Sequence, residues 1–233
     1  MKKINLTLAL FAFSFPLFSQ AKDWPVWGGD GSRNMVTTEK GLITNFSPGD
    51  MSDNEVVDMK TTKNIRWVAK LGSQAYGNVT VGNGCVFVGT NNESPRDPQK
   101  KGDRGVVLCL DEKSGEMKWQ LVIPKLGAGK VSDWEYIGVC SSPAVYGDVV
   151  YVVTNRCEVV CLDINGLSDG NMGPYKDEAT YVRPKGAQDP LNESLDADII
   201  WMYDMRDELG VFPHNVTSSS PLVIGDKVFI ATS

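Results

Sequence analysis

The sequence predicts an all-β protein, a β-propeller of four-stranded antiparallel blades, with two blades and part of a third present. Two observations predict it. First, the pattern strand, Gly/Asp/Asn turn, strand occurs three times without a gap, at residues 79–90, 143–154 and 221–232, with offsets of 64 and 78 residues. Second, each of the first two hairpins is followed by a third run rich in β-branched residues (106–111 and 158–163) and by a fourth (116–122 and 199–205). Antiparallel four-strand units that repeat in this way mark a propeller. A β-sandwich made of the same hairpins is the competing architecture, and the gapless threefold alignment favours the propeller.

Taken in order, residues 1–21 read as a signal peptide rather than as part of the fold. Lys2-Lys3 is a basic start, 4–18 is an apolar run, and Ser19-Gln20-Ala21 is a small-x-small cleavage site. The run is too short for a membrane span, and no transmembrane segment is expected after cleavage. The expectation is therefore an exported protein, periplasmic or secreted. Residues 22–63 form an N-terminal arm rich in Gly, Pro, Asn and Ser, which Trp24 and Trp27 should pin onto something larger. The propeller repeats occupy 64–233. Their first strand, at 64–71, is expected to complete a final blade lying outside this sequence, so that the chain reads as the N-terminal part of a longer protein. A polar insert, 165–198, separates the third and fourth strands of the second unit.

Composition excludes some functions. The formal charge is −6, and it becomes −8 once Lys2 and Lys3 are removed with the signal. Phosphate contacts need clustered Lys and Arg, so nucleic acid is not an expected partner. Five cysteines (Cys85, Cys109, Cys140, Cys157, Cys161) in an exported chain permit disulfides. Cys109 and Cys161 hold the same place in successive repeats and read as small buried core residues. Cys140 and Cys157 flank one hairpin, which makes them the favoured bridge.

The eleven residues Cys109-Leu-Asp111-Glu-Lys-Ser114-Gly115-Glu-Met-Lys-Trp119 resemble the tryptophan-docking motif of pyrroloquinoline-quinone (PQQ) type repeats, Ala-x-Asp-x-x-Thr-Gly-x-x-x-Trp. Cys109 stands for the usual Ala and Ser114 for Thr. A second copy starts at Cys161-Leu-Asp163, and Trp201 beyond the insert is the expected equivalent of Trp119. The physical reading is structural. Asp111 accepts main-chain N–H bonds in the turn, Gly115 supplies a positive φ, and the Trp119 indole stacks on the next blade. The resemblance implies one of two occupations. Some relatives are quinoprotein dehydrogenases that hold PQQ and calcium at the propeller mouth and oxidise alcohols or sugars. Others keep the ring without the cofactor and act as binding or assembly scaffolds.

The chain has no adjacent cysteine pair of the kind found in alcohol-oxidising quinoproteins, and few basic residues in the mouth loops. The reading therefore leans toward a non-enzymatic scaffold with a protein or small-molecule ligand at its mouth or edge loops. No catalytic residue is assigned, and PQQ and calcium enter only under the alternative, a PQQ- and calcium-dependent alcohol or sugar dehydrogenase whose site is completed by C-terminal blades outside this sequence. The loops that precede each first strand supply the candidate mouth residues, Tyr76, Asn78, Trp134, Glu135, Cys140, His214 and Asn215. A lone His such as His214 is more often a hydrogen-bonded loop residue than a catalyst. Asp163, Asn165, Asp169 and Asn171 have the composition of a calcium loop but miss the EF-hand spacing, so an Asx-rich turn is the preferred reading. The segment 126–130 lacks the spacing of a phosphate loop and reads as a connection between blades.

Overall fold

The hairpins form where the turn residues accept left-handed backbone conformations. The computed structural model describes residues 23–182 and 191–232; the expected signal segment lies outside the described residues. In the first blade β1 (Thr80–Gly82) meets β2 (Cys85–Asn91) across Asn83-Gly84, which take φ values of 52° and 73°. Positive φ at both central residues matches the right-handed twist of the strands they join. β3 (Arg104–Asp111) and β4 (Met117–Pro124) complete a sheet of order β1-β2-β3-β4. The second blade repeats the order with β5 (Ala144–Tyr146), β6 (Val149–Val153), β7 (Glu158–Asp163) and β8 (Ile199–Asp204). A short helix α1 (Glu178–Tyr181) lies in the insert, and α2 (Met205–Leu209) follows β8. The third unit is the antiparallel hairpin β9 (Leu222–Ile224) and β10 (Lys227–Phe229). The ring is not closed by the described residues.

Register confirms the repeat. Cys109 faces Trp119, Cys161 faces Trp201, and both pairs are followed by the same one-residue shift. Trp201 is thus the equivalent of Trp119, and both cysteines are buried as expected. The main core lies between the first two blades and contains Phe87, Cys109, Trp119, Leu121, Val150 and Leu162. The Trp119 indole N–H donates to the Ile164 carbonyl at 2.8 Å, and its ring fills the space where a Cβ on Gly166 would sit. In the turn before it, Asp111 Oδ1 accepts from the Lys113 and Ser114 N–H groups at 2.9 and 2.8 Å, and Gly115 has φ +75°.

Two expectations need correction. Residues 64–71 form no strand, and Asn64 stands in a bend at φ 56°. Trp67, Ala69 and Leu71 pack on the face of blade one built by Val86, Val106 and Leu108, and the Trp67 indole donates to the Glu112 carbonyl at 2.9 Å. The side-chain alternation of a strand is present, but no neighbouring strand among the described residues completes a ladder. The favoured Cys140–Cys157 bridge is also absent, since all five cysteines are free thiols. Cys140 precedes β5, whereas Cys157 occupies the β6–β7 turn at φ 62° and packs with Val153 and Met205. Flanking one hairpin in sequence does not bring the two side chains into one cluster.

Both irregular segments are stitched to the sheets by main-chain bonds. The arm runs along the inner edges of the blades. Trp24 and Val81 exchange N–H···O bonds of 2.9 Å in each direction, and the Val145 N–H donates to the Pro25 carbonyl at 2.8 Å. Arg33 then reaches the segment before β9. These bonds satisfy edge groups that would otherwise be open. The insert returns to blade one: the Gln120 N–H donates to the Leu195 carbonyl at 2.7 Å, and the Ala197 N–H to the Gln120 carbonyl at 2.8 Å. Beside this seam the fully buried Lys100 ammonium contacts Asp196 at 2.6 Å and Asp97 at 3.0 Å.

Candidate functional site

The residue one position before each repeat defines the rim of a cavity. These residues are Asn78, Ser142 and Ser220, and they are linked in sequence. The Asn78 N–H donates to Ser142 Oγ at 2.8 Å, and the Ser142 N–H donates to Ser220 Oγ at 3.0 Å. The same bond thus joins blade one to blade two and blade two to the third unit. Above this staircase opens a cavity of about 1130 Å³. Its walls come from the arm (Trp27, Arg33), from the approaches to β1 and β5 (Gln74, Tyr76, Cys140), and from 218–220 with Phe229 of β10. The volume and the mixture of aromatic walls with a few polar groups suit a small-molecule or peptide ligand.

Four of the sequence-derived candidates, Tyr76, Asn78, Trp134 and Cys140, line this cavity. Trp134 is held from both sides: its N–H donates to the Asn215 carbonyl at 2.8 Å, and its carbonyl accepts from Lys125 Nζ at 2.6 Å. Lys125 is itself fixed by Asp133 at 2.6 Å. Asn215, at φ 65°, therefore acts through its backbone to position Trp134. The other two candidates lie elsewhere. Glu135 is exposed and sits 3.8 Å from Lys130. His214 lines a separate cavity of about 340 Å³ together with Cys157 and Thr217. Desolvation pushes the Cys140 thiol up to about 11, so it faces the cavity as a neutral group.

Sequence reasoning singled out Trp27 but preferred an anchoring role over a ligand platform, and it missed Arg33, Gln74 and the hydroxyl run Ser218-Ser219-Ser220. A signal was available for the last of these, because Ser220-Pro221 repeats Ser142-Pro143 at the offset of 78.

The donor set tests the cofactor that the resemblance implies. PQQ carries three carboxylates and is held with calcium, a hard cation that takes several oxygen ligands including carboxylates. The residues lining the cavity include one cation, Arg33, and no carboxylate. They do not fit a calcium-bound tricarboxylate.

The four loop residues considered for calcium bond mainly to one another and to the insert. Asp163 Oδ1 accepts from the Asn165 N–H at 2.7 Å, Asn165 Nδ2 donates to Asp169 at 2.9 Å, and Asn171 Nδ2 donates to Glu178 at 2.7 Å. Among the described residues no group of three or more His, Cys, Asp or Glu is arranged to hold a metal ion.

Close by, Asp198 is fully buried. One oxygen accepts the Met172 N–H at 2.6 Å and the other has no partner. Desolvation, reinforced by Glu178 and Asp163 and opposed by the Met172 N–H and Lys176, raises its carboxyl to about 6. The native state therefore keeps a proton that the unfolded chain releases near pH 4, and stability falls as pH rises from about 4 through 6. Asp198→Asn is expected to gain ~2 kcal/mol above pH 7 and almost nothing at pH 4. Urea melts at the two pH values check this.

Stacked four-stranded blades, joined by a tryptophan of one blade docked on the turn of the next, define a propeller of PQQ-like repeats. The family model described as "Outer membrane protein assembly factor BamB" matches residues 19–167. The chain belongs to this family. No curated protein matches the sequence. Among solved structures, a europium-containing methanol dehydrogenase aligns with a TM-score of 0.44 and 12% identity, over 92% of this chain and 28% of that one. The chain thus spans 28% of the length of that relative. No helix among the described residues is long and apolar enough to cross a membrane.

Proposed function

We propose that the protein is an exported, non-enzymatic binding scaffold that takes its ligand or protein partner at the cavity on the inner-strand rim. The observation that carries this reading is the composition of that cavity. Aromatic rings, hydroxyls and amides line it, a set suited to recognition, and neither an acid–base pair nor a nucleophile–base pair lies among its lining residues. The family description, an assembly factor, supports a protein partner. The basic start, apolar run and small-x-small site of residues 1–21 support export. In domain terms we read a signal at 1–21, an arm at 22–63 and the repeats at 64–233.

The dehydrogenase alternative is tested directly. The full-length protein, supplied with PQQ and calcium, is expected to show neither saturable binding at micromolar PQQ nor dye-linked oxidation of alcohols or sugars. Binding with turnover would replace the scaffold reading by a quinoprotein one. Recovery of the exported protein with Lys22 as its first residue would support the assigned compartment, and an intact Met1 would overturn it.

A further inference from the structure

The cavity holds one charge that no carboxylate offsets. Arg33 lines it, and the guanidinium lies 5.5 Å from the centroid of the Trp27 ring. Nη2 donates to the Ser220 carbonyl at 3.0 Å, while Nε is buried without a hydrogen-bond partner. None of the ion pairs among the described residues involves Arg33. In a chain of net charge −6, a cation left unpaired in a cavity is a specific feature.

The rim adds donors beside it. A hydroxyl has one hydrogen to give and two lone pairs to accept with. Ser142 and Ser220 each spend a lone pair on a main-chain N–H from the preceding repeat. Those bonds fix the two oxygens, and among the described residues neither hydroxyl donates its own hydrogen. Arg33 bonds the carbonyl of Ser220 itself, so the guanidinium and the end of the hydroxyl staircase share one residue.

We infer that Arg33 and the Ser142 and Ser220 hydroxyls form an anion subsite for the carboxylate of an organic ligand whose apolar or aromatic body lies against Trp27 and Trp134. The inference rests on the cavity being a binding site. A planar guanidinium matches a planar carboxylate in shape and charge, and hydroxyl donors satisfy its remaining lone pairs. Two flanking indoles and a volume of about 1130 Å³ leave room for a body well beyond the carboxylate.

The test compares N-acetyl-tyrosine with N-acetyl-tyrosinamide, which differ only in the charged group, by NMR titration of the full chain at pH 7. The acid is expected to bind roughly tenfold more tightly than the amide. Arg33→Met should abolish the difference, Ser220→Ala should reduce it, and Lys113→Met, a charge change on an exposed turn, should leave it intact. Equal affinity of the unmodified chain for acid and amide overturns the anion subsite and leaves the cavity as a binding site. Saturable binding of neither probe up to about 10 mM overturns the cavity reading as well. The comparison on the unmodified chain needs no variant to fold.

Discussion

Asp196→Ala is expected to lower the free energy of unfolding by about 3–5 kcal/mol, read from urea melts at neutral pH. Lys100 is fully buried, and its ammonium is held by both oxygens of Asp196, at 2.8 and 2.6 Å, and by Asp97 at 3.0 Å. Removal of Asp196 takes two charge-assisted hydrogen bonds from a buried ammonium that then keeps Asp97 as its carboxylate partner, in a medium that solvates charge poorly, and that loss dominates. Asp196 also accepts the Asn192 N–H at 2.7 Å, so the substitution loosens the turn that presents Leu195 and Ala197 to β4. The triple variant Asp97→Asn/Lys100→Met/Asp196→Ala should recover part of the loss, because all three buried charges go together. A triple variant less stable than Asp196→Ala would show that the cluster matters through packing and not through charge.

Trp119→Ala should cost a similar ~3–5 kcal/mol. The indole is 1% exposed, lies 5.8 Å centroid to centroid from Phe87, and carries the hydrogen bond to Ile164 that ties the two blades together. Truncation opens a cavity in the main core and orphans a buried carbonyl. Trp67 makes the same kind of bond, to Glu112, but is only half-buried. Trp67→Ala should therefore cost clearly less under the same denaturation protocol. Equal losses would show that the indole hydrogen bond, and not ring burial, sets the energy.

How much of this was legible follows from the range of each signal. The hairpins and Trp119 were readable because their cues are local: a turn that needs positive φ, a period of two, and a motif spanning eleven residues. Lys100 and Asp196 were not. Each stands in a polar stretch that reads as solvated loop, and only the insert folding back onto β4 brings them together across 96 residues. Arg33 was missed for the same reason, in an arm read as an anchor. Of the candidate mouth residues, Tyr76, Asn78 and Cys140 reached the cavity because the first strand close by fixes where they point, and Trp134 reached it through its main-chain bonds to Asn215 and Lys125. Glu135 and His214 sit in longer loops whose course the sequence does not set.

The arm has a consequence for the order of assembly. Arg33 leaves the ribosome early, but its carbonyl partner, Ser220, lies 187 residues later. Trp24 and Pro25 gain their strand partners sooner, once Val81 and Val145 have been made. The arm therefore seats in stages, and its last contact waits for the third hairpin. Contacts at such separation form late and slow the final step. On a stalled nascent chain the stretch around Arg33 should stay open to protease until Ser220 has emerged.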